Sequence, residues 1–135
     1  MTVQRSTAVR NARLDAIEAT IGTSAKVQIR SGAQPANCAA AAAGTLLVEY
    51  ALASDWAAAA SGGSKAFNST PISGTAVGTG TAGHYRIVDS AGTTCHEQGT
   101  VTATGGGGDV TIDNTSIVSG QAVNISGWTV TEPGA

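Results

Sequence analysis

The spacing of hydrophobic residues along the chain changes from a helical period near the N-terminus to a period of two after Gly22. Residues 6–21 predict one helix, because Ser6 can cap its start, good helix formers follow, and Gly22 can end it. Its apolar positions form one narrow stripe: Leu14, Ile17 and Ile21. Two roles stay open for this helix, which can pack on its own domain or act as an arm that docks on a neighbouring subunit.

The remainder of the chain is predicted to form strands. Residues 25–30 alternate apolar and polar side chains, which is typical of a strand with one face in water. Residues 53–67 predict a connection or a short helix that ends at Gly62 and Gly63. Further strand-length segments are separated by turn residues, at a spacing expected of a sandwich or a barrel. They cover residues 45–52, 72–77, 84–89, 94–104, 109–113 and 122–131.

Composition supports a single domain of the all-β class. The chain has 135 residues, only 4% of them aromatic and 12% charged, with 18 glycines, a profile typical of small packed surfaces and many tight turns. No second helical pattern separates the strands, so a parallel sheet with crossover helices is not expected. We therefore predict an N-terminal helical arm, residues 1–22, followed by an antiparallel β-sandwich domain, residues 23–135.

The charge of the chain argues against two classes of partner. A net charge of -2 provides neither the basic surface that nucleic acids require nor a polybasic membrane patch. The first residues are charged where a secretion signal needs an apolar run, which predicts synthesis in the cytoplasm. Free thiols are usual there, so Cys38 and Cys95 are expected to be reduced rather than joined.

Histidine is the first residue type to test for catalysis or metal binding. A hairpin that turns at residues 89–92 would place His84 opposite Gln98 and Arg86 opposite His96, all on the face in water. An arginine beside two histidines does not suit a divalent cation, so no metal site, no cofactor and no catalytic residue is predicted. Glu97 would fall on the core face, and we expect a bulge at Gly99 to turn it outward.

Four consecutive glycines, residues 105–108, allow three interpretations. A phosphate-binding loop needs a lysine and a following helix, and neither is present. A linker is not favoured because the chain beyond the glycines is too short for another domain. The segment is therefore predicted to be the projecting tip of a hairpin that joins residues 94–104 to residues 109–113. Trp56 and Trp128 are predicted to be structural.

Two stretches of the chain resemble a family of small structural proteins of tailed-bacteriophage virions. They are STAVRNARLDAIEATIG and the segment that begins GTAGHYRIVDSAGTTCHEQG, contains TATGGGGD and ends at WTVT. In that group an N-terminal helix similarly precedes a short-stranded β domain. The resemblance implies a jelly-roll-like β-sandwich and offers no catalytic motif.

The family includes capsid cement or decoration proteins and head-fibre or tail proteins. The resemblance implies a cement or decoration protein on the capsid surface of the virion, with the major capsid protein and further copies of itself, as a dimer or trimer, as partners. The alternative is a tail or fibre attachment module that binds a host surface. An enzyme acting on cell-wall polymer is not expected, because the paired acids of glycosidases are not visible.

Overall fold

The computed structural model of the chain describes residues 3–133 and consists of one helix followed by nine strands. The elements are α1 (Thr7–Ile21), β1 (Lys26–Ser31), β2 (Leu46–Ala51), β3 (Ser64–Ala66), β4 (Ile72–Thr75), β5 (Gly80–Val88), β6 (Cys95–Ala103), β7 (Val110–Ile112), β8 (Ser116–Ile117) and β9 (Ala122–Thr131). The sequence-based prediction of the helix and of the main strands is confirmed. The segment between β2 and β4 contains the short strand β3 and no helix.

The helix begins and ends at the predicted residues. The Ser6 hydroxyl accepts a hydrogen bond from the Val9 amide, and Gly22 ends the helix at a positive φ of 87° that suits glycine. Leu14 and Ile21 are buried against the β domain. The sequence leaves two roles open for this helix. In the structure the helix packs on its own domain.

The strands form a curled, mixed sheet in the order β2-β1-β5-β6-β7-β9-β3, with β4 paired to β9 and β8 paired to β5. The all-β class is confirmed. The expectation of a purely antiparallel sandwich is wrong, because β6 and β7 run parallel, with Val101 beside Val110 and Ala103 beside Ile112.

The core lies inside the curl of the sheet and closes around three aromatic rings. Trp128 stacks on Phe67 with ring centroids 4.9 Å apart, and Trp56 approaches Trp128 at 5.6 Å. Trp56 and Trp128 are 3% and 1% exposed, so their predicted structural role is confirmed. Burial of rings of this size contributes a large part of the hydrophobic stabilisation of so small a domain.

The four glycines do not form a hairpin tip. Between β6 and β7 the chain turns back along β6, so that the next strand starts beside Val101 and runs parallel to it. Gly106 and Gly108 lie against Thr102, whose hydroxyl accepts the Gly108 amide at 2.9 Å. A crossover between adjacent parallel strands usually needs a dozen or more residues. Here a few residues suffice because glycines remove the side chains that would collide with β6.

Candidate functional site

A one-residue bulge in β6 determines where its polar side chains lie. Ile87 pairs with Glu97 but Val88 pairs with Cys95, so His96 is the extra residue. The predicted pairing was wrong by two residues, since Arg86 pairs with Gln98 rather than with His96. A shift of two residues keeps Gln98 on the same face as Arg86, but the one-residue bulge moves Cys95 to that face and separates His96 from the other polar residues.

The sheet face expected to lie in water is covered. Residues 32–44, here called the cover loop, lie across it and bury Gln28, His84 and Arg86. His84 Nδ1 lies 2.9 Å from the Gly32 carbonyl oxygen, and Arg86 Nη2 donates to the carbonyls of Cys38 and Ala40. The prediction that these polar side chains face solvent is therefore wrong, because the alanine-rich loop can approach the sheet closely.

A disulfide between Cys38 and Cys95 fixes the cover loop to β6, with Cα atoms 5.2 Å apart. The expectation of free thiols is wrong. The bulge at His96 is the physical reason, since it places Cys95 on the covered face beside Val88 and Arg86, where Cys38 also lies.

Glu97 lies on the opposite face and accepts two hydrogen bonds with one carboxylate oxygen. Oε1 accepts the Tyr85 hydroxyl and, at 2.8 Å, the Trp128 indole N–H. Burial raises the pKa of Glu97, and the nearby charge of Asp109 raises it further, against the lowering effect of the two hydrogen bonds. The prediction that a bulge at Gly99 turns Glu97 outward is wrong, because the bulge is at His96 and leaves Glu97 facing inward.

Glu97 stands at the wall of an open cleft between α1 and the sheet. The cleft has a volume of about 640 Å³. The helix contributes mostly apolar side chains together with Arg13 and Thr20. The other side contributes polar residues that include His96, Gln98 and Asp109. The cleft therefore combines a protonatable carboxyl, a histidine and an arginine in one accessible depression.

A different surface lies where the loops at one end of the sheet converge. This surface, here called the uncharged end, consists of residues 45–47, 76–79 and 118–121. The Gly120 amide donates to the Ala76 carbonyl, and the Ser119 amide donates to the Thr79 hydroxyl. Val77 and Val118 are 65% and 58% exposed there. The sequence around these loops, residues 31–48, 69–83 and 114–131, contains no charged residue.

Sequence reasoning missed both surfaces. The long uncharged segments were readable in the sequence and could have indicated the uncharged end, but their convergence depends on the fold. In the part of the chain that the structure describes, no group of three or more His, Cys, Asp or Glu residues could hold a metal ion. No helix among residues 3–133 is long and apolar enough to cross a membrane.

Comparison with known proteins gives no match: no family model, no curated protein and no solved structure is significantly similar to this chain.

Proposed function

We propose that this chain is a structural protein of a tailed-bacteriophage virion, a capsid cement or decoration protein that binds across junctions of the major capsid protein. A jelly-roll-like arrangement of its strands and self-association as a dimer or trimer belong to the same proposal. The resemblance of the helix and of residues 83–116 to that family is the origin of this proposal.

The uncharged end is the structural observation that carries the proposal. A cement protein forms the same interface at many positions on the capsid. Binding requires that the contacting groups lose their water, and this costs much free energy when an unpaired charge is buried. The centres of protein interfaces are accordingly depleted of charged residues. Val77 and Val118, exposed on two hydrogen-bonded loops without charged neighbours in sequence, provide such a surface.

A non-catalytic role is part of the proposal, and the contacts of Glu97 support it. Its Oε1 atom accepts hydrogen bonds from Tyr85 and Trp128, which hold the side chain against the wall of the cleft. Assaying peptidoglycan hydrolysis with the native protein and with Glu97→Gln tests this point. Hydrolysis by the native protein that is lost in the variant would contradict a purely structural role.

The main test measures incorporation into phage heads with matched valine variants. Val77→Glu and Val118→Glu place a charge on the uncharged end, whereas Val9→Glu places the same change on an exposed position of α1. We expect the first two to reduce the number of copies per head and Val9→Glu to leave it near the native number, by quantitative mass spectrometry of purified particles. Equal incorporation of all variants would contradict the proposed contact surface.

The cleft favours a second candidate, a tail or fibre attachment module that binds a host surface. Its polar side chains could contact a hydrophilic ligand such as a cell-surface sugar, for which a mixed polar and apolar depression is suitable. Copy number separates the two functions, because a cement protein is present in a large number of copies on the head and an attachment module in few copies on the tail. Separate quantification of heads and tails therefore decides between them.

A further inference from the structure

A second polar cavity lies beneath the cover loop, on the covered face of the sheet. Its volume is about 210 Å³. The cover loop and the disulfide form one side, and the sheet contributes the side chains of Gln28, Arg30 and Arg86. This cavity is separate from the α1 cleft and from the uncharged end.

Arg86 reaches this cavity with part of its hydrogen-bonding capacity unused. The residue is 4% exposed, and its Nη2 atom donates to the carbonyl oxygens of Cys38 at 2.9 Å and Ala40 at 3.1 Å. Its Nη1 atom is buried and, among the described residues, has no hydrogen-bond partner. A buried guanidinium whose hydrogen-bond partners are all neutral is costly, and a bound water or ion is one explanation for an unpaired buried donor.

A second guanidinium lines the same cavity. Arg30 Nε donates to Gln28 Oε1 at 3.2 Å, and Gln28 Nε2 donates to Glu49 at 2.9 Å. Burial lowers the pKa of Arg30, and the charge of Arg86 lowers it further, while Glu49 acts in the opposite sense.

Among the described residues, the charged side chains that line the cavity are both basic, Arg30 and Arg86. Glu49 also contacts the Lys26 ammonium at 3.6 Å. A second carboxylate, Asp89, accepts the amide of the lining residue Thr93 at 2.9 Å. His84, on the same face, lies with Nδ1 against the Gly32 carbonyl.

We infer that this cavity binds a compact oxyanion of the size of phosphate, held between the guanidinium groups of Arg30 and Arg86. Guanidinium groups present paired N–H donors that match the oxygens of phosphate or carboxylate. The carbonyls of the cover loop orient Arg86, and the Cys38–Cys95 disulfide fixes that loop in place. The inference does not depend on the proposed virion function.

The experiment is a calorimetric titration of the full-length, oxidised protein with inorganic phosphate, with sodium chloride used to keep the ionic strength constant. Arg30→Gln is expected to weaken binding at least about ten-fold, because it removes charge-assisted hydrogen bonds. Arg86→Lys keeps the charge but removes the planar fork, and it is expected to weaken binding as well. Arg13→Gln, a matched change on α1 outside the cavity, is expected to bind like the native chain.

Amide chemical shifts locate the bound ion. Phosphate is expected to move the signals of residues 39–42 and 92–93, which line the cavity, and acetate in a parallel titration tells whether a carboxylate is preferred. Thermal unfolding of each variant confirms that it is folded. Absence of saturable binding to the native protein, or an equal loss in Arg13→Gln, would overturn the inference and leave a site that holds only water.

Discussion

The Lys65 ammonium of β3 lies 2.9 Å from the Asp15 carboxylate of α1, and the Lys65 side chain is only 1% exposed. Glu18, one turn further along the helix, lies 3.5 Å from the same nitrogen, and the Ala58 carbonyl accepts a hydrogen bond from it at 2.8 Å. The lysine hydrogen bond lowers the pKa of Asp15. A buried cation of the β domain thus obtains its counter-charges from the N-terminal helix.

Removing both acids should destabilise the protein more than removing the lysine. The double variant Asp15→Asn, Glu18→Gln leaves a buried ammonium without a carboxylate, whereas Lys65→Met leaves two carboxylates that solvent can reach. We expect a clearly lower melting temperature for the double variant than for Lys65→Met, measured by circular dichroism. Lys26→Met, which removes a partly exposed ion pair, is the control and should change little. A double variant that melts like the native protein would show that the helix does not supply these counter-charges.

The Glu97 carboxyl should make stability depend on pH. The pKa of Glu97 is higher in the folded chain than its ordinary value of 4.5, so the folded state favours the protonated carboxyl. This contribution to the free energy of unfolding is present below pH 4.5 and is lost as the pH rises through the raised pKa. Glu97→Gln keeps a hydrogen-bond acceptor and lacks this titration. We expect urea unfolding from about pH 4 to about pH 8 to show a fall in native stability relative to Glu97→Gln.

The matched variant for this measurement is Tyr85→Phe. The Tyr85 hydroxyl lowers the pKa of Glu97, so its removal should extend the fall in stability to higher pH. Parallel pH profiles for the native protein and Glu97→Gln would contradict the raised pKa.

The disulfide should be detectable and should stabilise the chain. Titration of the unfolded, unreduced protein with a thiol reagent is expected to find no free cysteine. The bridge closes a segment with a sequence separation of 57 residues, and bridges of this kind contribute on the order of 2–4 kcal/mol to the free energy of unfolding. Reductant should therefore lower the melting temperature of the native protein and leave that of Cys38→Ser, Cys95→Ser unchanged. Two free thiols in the purified protein would contradict the bridge.

The glycine crossover predicts different tolerance at neighbouring positions. A Cβ atom at Gly108 would lie 2.8 Å from the Thr102 backbone nitrogen, whereas one at Gly105 would meet nothing within 4 Å. Gly108→Ala should therefore cost about 1–3 kcal/mol of stability, as overpacking usually does. Gly105→Asn, at a φ of 86° that asparagine tolerates, should be nearly neutral. Equal tolerance at both positions in urea unfolding would instead fit a projecting hairpin tip.

Residues close together in sequence determined a large part of the secondary structure. The cap at Ser6, the glycine at position 22 and the stripe of apolar side chains specify α1, because each acts within a few residues of backbone. Alternation of polar and apolar side chains likewise specified the main strands. The burial of Trp128 follows from its size and its place in an apolar strand.

Only the tertiary structure decided which surfaces meet. Whether Arg86 lies in water or beneath a loop depends on a segment distant in sequence, and the partner of Cys95 depends on a single extra residue, His96, in β6. The parallel pairing of β6 and β7 required close contact between Thr102 and glycines that local rules place in a turn. Period-two patterns specify which side chains share a face, but they carry no information about register or about what covers that face, because both depend on long-range packing.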